Sequence, residues 1–194
     1  GYSLGHHGIM GKGNGTYPLN MFEESVKVPF LMRLPGGDMG GQVNSELLSH
    51  YDMMPTLLDY LDLEYSKNDI LPGKSFASIL RNSPLESSRK SVVICDEYGP
   101  NRMLRSSEWK YVQRYPDGPN ELYDLINDPH ERKNLVDEIE FKSHKESMAT
   151  ELEDWFKLYV IDQLDGSKLK TCRGGGQKGS LVDNSNKIEL FDSN

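Results

Sequence analysis

The sequence predicts an α/β protein: the end of a large α/β domain, then a small C-terminal domain of antiparallel strands packed against one long helix. Three observations carry this. Val26 to Leu34 is a mostly apolar run without strict alternation, which reads as a strand buried on both faces. Between Val92 and Leu125, short β-prone runs alternate with turn chemistry, the pattern of a small antiparallel sheet. From about Asp137 to Val160, the residues Met148, Leu152, Trp155, Phe156 and Tyr159 keep helical spacing.

Taken in order, residues 1–20 carry Gly1, Gly5, Gly8, Gly11, Gly13 and Gly15, which argues against a helix or strand and for a working loop. The chain opens without methionine in that loop and reads as a piece of something longer. The apolar run follows, with Pro29 near its start and Pro35-Gly36-Gly37 as its end. Ser49 to Asp62 places Met54, Leu57, Leu58 and Leu61 on one stripe, predicting a helix packed on that sheet with Asp52 at its first turn. Phe76 to Leu80 is a short helical piece. The expected strands are Val92–Glu97, Met103–Ser106, Trp109–Arg114 and Leu122–Leu125. The expected organisation is therefore residues 1–88 as the end of the large domain, 89–161 as the small one, and 162–194 as an extended tail too poor in apolar residues to order itself.

Composition excludes several classes. With a net charge of −8 and no basic run longer than two residues, the chain lacks the footprint of a nucleic-acid binder. No apolar stretch reaches the roughly 18 residues of a membrane span. Cys95 and Cys172 suggest neither a disulfide framework nor a cysteine zinc site, although one bridge remains open. Asn14-Gly15-Thr16 matches a glycosylation sequon, most simply by chance. A cytoplasmic location is slightly favoured, with secreted or periplasmic ones open.

The densest chemical cluster is Gly5-His6-His7-Gly8-Ile9-Met10-Gly11-Lys12-Gly13. Glycines let backbone amides approach an oxyanion, and Lys12 offers a compact positive charge for a phosphoryl or sulfuryl oxygen. A Walker A loop is excluded by its spacing, and a dinucleotide fingerprint by the lack of a preceding strand. Adjacent residues point to opposite sides of a regular element, so His6 and His7 should not face one target together, and no metal ligand is expected in the chain. On these residues alone, an anion-binding loop and an incidental surface loop stay open.

The order of motifs adds to this. Gly1-Tyr2-x-x-Gly5-x-His7-Gly8-x-x-x-Lys12 and Phe22-Glu23-Glu24-Ser25-Val26-Lys27-Val28-Pro29-Phe30-Leu31-Met32-Arg33 closely resemble the sulfatase family. So do Asp52-x-x-Pro55-Thr56-Leu57-Leu58-Asp59, Gly73-Lys74-Ser75-Phe76, Arg102-Met103-Leu104-Arg105, Trp109-Lys110-Tyr111 and Glu121-Leu122-Tyr123-Asp124-Leu125-x-x-Asp128-Pro129-x-Glu131-x-x-Asn134-Leu135. The likeness covers roughly residues 1–160.

The resemblance implies a large alkaline-phosphatase-like domain and hydrolysis of sulfate esters by a formylglycine nucleophile beside a calcium ion. It makes Lys12 the sulfate-binding lysine and His7 a histidine near the substrate, catalytic or substrate-binding. His6 stands on the substrate side where many members have Glu. The Cys/Ser-x-Pro-x-Arg signature is absent, and Cys95, followed by Asp96-Glu97-Tyr98, cannot replace it. Nucleophile and calcium ligands are therefore expected outside this chain, which reads as the C-terminal portion of the enzyme and inactive alone. The implied partners are a sulfated small molecule or saccharide and the missing N-terminal part. Glu97, Tyr98, Arg102 and His130 lie on stretches that could face a substrate. The rivals are a phosphate or phosphonate ester hydrolase of the same superfamily and a non-catalytic anion-binding or docking module.

Overall fold

In the computed structural model, residues 1–13, 16, 19–36, 40–64, 70–85, 87–96, 101–162, 165 and 167 are described. Glu97, Tyr98, Cys172, the first two residues of the sequon and nearly all of the tail lie outside them. In chain order the elements are β1 (Tyr2–Leu4), β2 (Met10–Lys12), α1 (Glu23–Val26), α2 (Met53–Tyr60), α3 (Ala77–Leu80), β3 (Ser91–Cys95), β4 (Asn101–Ser106), β5 (Trp109–Arg114), β6 (Glu121–Asp124) and α4 (Lys142–Tyr159). Among the described residues, no helix is long and apolar enough to cross a membrane.

The four strands β3 to β6 form an antiparallel meander in chain order, and α4 lies where helical spacing predicts it. Register explains the core. Val93, Leu104, Tyr111 and Leu122 align as one row across the sheet. That row packs against Met148, Leu152 and Phe156, which are spaced i, i+4, i+8 along α4. Burying each such side chain contributes about 1.5–3 kcal/mol. The next row, Ile94, Met103 and Val112, faces the other way and meets Met21 and Val26. Residues 19–26 thus cover the second face of the small sheet.

Three expectations are corrected. The glycine-rich stretch is a hairpin, not a loop without strands: β1 pairs with β2 in the register Tyr2↔Lys12, Ser3↔Gly11, Leu4↔Met10. Glycine makes this possible, because Gly5 and Gly8 adopt φ of 95° and 71° to turn the chain back.

The run Val26 to Leu34 is not a strand. Its first residue ends α1, the remainder lies in no ladder, and Leu31 is 89% exposed. Apolar character signals that a segment suits burial, but a strand exists only where neighbours supply hydrogen bonds, and no described residue pairs with it.

The α2 helix forms, yet Met54, Leu57 and Leu61 are exposed, while Pro55 and Thr56 are buried on the opposite side. Thr56 Oγ1 there accepts the Phe76 N–H at 3.0 Å, so the α2–α3 contact and not the aliphatic stripe decides which face turns inward. Asp52 is 1% exposed and completes a capping box with Ser49; its carboxylate also accepts the Lys74 N–H at 2.8 Å and Arg89 at 2.5 Å.

Candidate functional site

The β1–β2 hairpin, α1 and the turn after β6 meet around one carboxylate. The hairpin turn holds His6 and His7, with His7 itself left-handed at φ 53°. Such a conformation in a residue with a β-carbon needs support from its surroundings. His7 has it: its ring lies flat on Phe22, centroids 3.7 Å apart and planes 6° apart, and Phe22 leans on Tyr123 of β6. The left-handed turn overturns the expectation that adjacent histidines face apart. His6 Nε2 lies 4.0 Å from Glu24 Oε1 and His7 Nε2 3.8 Å from Oε2, so the two imidazoles bracket one carboxylate.

The close approach of β1 to α1 depends on glycine at position 1. A β-carbon there would sit 1.7 Å from the Glu24 carbonyl oxygen. An open cleft of about 450 Å³ lies in front of the group, lined by Leu4, Gly5, His6, His7, Glu24, His130 and Arg132.

Behind the cleft is a buried ionic network. Lys110 has no exposed surface; its Nζ lies 2.7 Å from Glu23 Oε1 and 2.5 Å from Glu131 Oε1, and donates to the Met21 carbonyl at 3.0 Å. Glu131, left-handed at φ 53°, accepts the Glu23 N–H through Oε2 at 2.7 Å, and Arg105 pairs with Glu23 at 3.2 Å. Burial pushes the Glu131 carboxyl above its ordinary range, and the attraction of Lys110 does not fully offset it. Burial pushes Glu23 the same way, but there Lys110 and Arg105 together outweigh it and hold the carboxyl low.

Of the residues singled out from sequence, His6 and His7 come together and His130 joins them at the cleft. Lys12 sits on β2 opposite Tyr2, exposed, and does not line that cleft. Arg102 is not a substrate-facing residue here. It is 4% exposed, its guanidinium lies 3.8 Å from the centroid of the Phe156 ring and 4.9 Å from that of Tyr115, and it is paired with Asp165.

Sequence reasoning missed Glu24, Glu131 and Lys110 as one group. A signal existed in Lys110: it shares a strand face with Val112, and a lysine on a core-facing position calls for buried acidic partners. Nothing local identifies Glu131 as that partner, because it follows an Asp128-Pro129 turn that looks merely structural.

Residues 17–157 match the family model described as N-sulphoglucosamine sulphohydrolase, C-terminal. The chain belongs to this sulfatase family. It is similar to an ulvan-active sulfatase of Formosa agariphila, 25% identical over 186 residues, covering 78% of this chain and 36% of that protein. The uncharacterized sulfatase YidJ of Escherichia coli is 31% identical over 160 residues, 80% of this chain and 30% of that protein. An N-acetylglucosamine-6-O-sulfatase of Bacteroides thetaiotaomicron is 25% identical over 184 residues, 90% of this chain and 32% of that protein. The sulfatase chain thus spans about a third of the length of these relatives. Its mixed α/β architecture, with the antiparallel sheet under a C-terminal helix, agrees with the expected fold class.

Proposed function

We propose that this chain is the C-terminal part of a hydrolase that cleaves a sulfate ester of a saccharide. Membership of the sulfatase family carries the reading, and the name of the N-acetylglucosamine-6-O-sulfatase relative supports the saccharide. The nucleophile, a formylglycine, and a calcium ion would come from residues other than those described. Calcium takes six to eight oxygen ligands, whereas the cluster at hand offers one imidazole and two carboxylates, of which Glu131 is already committed to Lys110 and the Glu23 amide. That set does not fit calcium. Cys95 is a free, exposed strand-end residue whose thiol is pushed up by burial around the sulfur and by Asp96, the reverse of an activated nucleophile.

Lys12 has the role that this chain's own residues supply. As an exposed ammonium on a short hairpin, it places a point charge that can neutralise a sulfuryl oxygen as negative charge builds there. His7 and His6 stand on the substrate side, presenting imidazoles at the rim of the cleft where hydroxyls or acidic groups of the saccharide would lie. The extended run Val28 to Leu34, exposed here, is the surface that the rest of the α/β domain would cover.

The test is turnover of the complete enzyme on sulfate and phosphonate monoesters, with Lys12→Ala beside the wild type. Sulfate release should dominate, and the variant should lose about 10²-fold in kcat, as when one oxyanion donor is removed. Phosphonate cleavage as fast as sulfate release, or a loss under about threefold, overturns the reading.

A further inference from the structure

We propose that Arg132 and His130 form a subsite for a second anionic group of the substrate, so that the enzyme prefers a saccharide bearing a carboxylate or a further sulfate beside the ester it cleaves. The inference rests on the saccharide hydrolase reading and narrows its substrate. Both side chains line the cleft of about 450 Å³ in front of the hairpin turn, a volume in the usual range for a small-molecule site. Lys12 does not line it. It follows His7 by five positions on the same hairpin, at most about 17 Å of extended chain, so a saccharide whose ester meets Lys12 has the cleft beside it.

The charge open to a ligand in this cleft is positive. Among the described residues, Arg33 and Arg132 are the arginines without a carboxylate partner, and of the two only Arg132 lines the cleft. Glu24 is the single carboxylate among the lining residues, and its oxygens lie toward the imidazoles of His6 and His7, with Oε2 shielded from solvent. Its charge therefore faces the hairpin. What remains open is the Arg132 guanidinium beside the His130 imidazole, both exposed. A guanidinium presents a planar fork of donors that matches the paired oxygens of a carboxylate or a sulfate.

The turn that carries the pair is fastened from beneath. Glu131, between them in sequence, is buried, with Oε1 2.5 Å from Lys110 Nζ and Oε2 accepting the Glu23 N–H at 2.7 Å. Asp128 accepts the Glu131 N–H through its carbonyl at 3.0 Å and the Lys133 N–H through Oδ2 at 2.8 Å. Beyond them Asn134 Oδ1 accepts the Leu122 N–H at 2.9 Å and ties the turn to β6. A backbone held at its centre and at both ends needs little further ordering when a ligand arrives, which keeps the entropic cost of binding low. The buried ionic network thus has a consequence at the surface: it fixes the position from which His130 and Arg132 reach the cleft.

The experiment gives the complete enzyme three disaccharide sulfate esters: one with a neutral neighbouring sugar, one with a uronic acid there, and one with a second sulfate there. At least one charged ester should exceed the neutral one about 10-fold or more in kcat/KM, mainly through KM, because a contact remote from the reacting atoms is made equally in the ground and transition states. Arg132→Gln should erase that preference, and the ester that loses more identifies the group recognised. Calorimetry with the matching products, which lack the cleaved sulfate, should show the same weakening in Arg132→Gln without relying on turnover. Lys12→Ala should lower kcat on all three esters while keeping their ranking, so that failure of this subsite and failure of the sulfate-binding reading are told apart. Equal kcat/KM on neutral and charged esters in the wild type, or an Arg132→Gln loss of the same size on all three, overturns the proposal.

Discussion

The Lys110 ammonium and the Glu131 carboxylate, both withdrawn from water, lie 2.5 Å apart across 21 residues of sequence. Lys110 comes from the third strand of the meander and Glu131 from a left-handed turn beyond its edge. Glu23 closes the triangle from the segment that covers the sheet, so one ammonium ties three regions together.

Lys110→Met removes the charge that both carboxylates share. Breaking a buried pair from one side costs about 3–5 kcal/mol, because the remaining charges stay uncompensated. Urea unfolding should show a loss of that size. A loss below about 1 kcal/mol would mean that water already reaches the network.

Opposite pKa shifts at Glu23 and Glu131 give opposite pH dependences. The folded pKa of Glu23 lies below 4.5, so the stability it adds is present above 4.5 and is lost as pH falls through the depressed value. For Glu131 the folded pKa lies above 4.5, so its contribution is complete below 4.5 and is lost as pH rises through the raised value. Glu23→Gln should therefore be most harmful near neutral pH and least harmful in acid. Glu131→Gln should improve relative to the wild type as pH rises. Unfolding free energies at acidic and neutral pH check both, and variants that move in the same direction would contradict the assignment.

Arg102 joins β4 to α4 and to Asp165. Arg102→Ala strips the stacking on Phe156 and leaves Asp165 short of its cation, at a cost of about 3 kcal/mol. Limited proteolysis should then cut faster beyond residue 160 than in the wild type. An unchanged cleavage pattern with an unchanged Tm would show that Arg102 is not the anchor.

Asp52 accepts from the Ser49 amide, the Lys74 amide and Arg89, tying the start of α2 to the chain on either side of α3. Asp52→Asn keeps the shape but removes the charge facing Arg89, and should cost about 2–4 kcal/mol. Asp59→Asn on the exposed side of α2, where the partners are Ser75 and Arg81, should cost under about 1 kcal/mol. Thermal melts of the two variants should rank in that order.

By itself the sequence determined the meander and the long helix. The short β-prone runs broken by turn residues between Val92 and Leu125, and the helical spacing of Met148, Leu152 and Phe156, are local patterns that match the elements they produce. Its ordered motifs also led to the sulfatase family, which the match over residues 17–157 bears out. Tertiary structure alone decided the rest. Whether Val28 to Leu34 pairs depends on neighbours that no local pattern supplies, and the inward face of α2 was chosen by Phe76 from another segment. The bracketing of Glu24 by His6 and His7 needed a left-handed residue held by an aromatic ring from α1's approach, and the closure of Lys110 on Glu131 needed two distant turns to meet. Hydrophobic periodicity encodes which faces are buried; pairings between charged side chains far apart in the chain arise only when those faces come together.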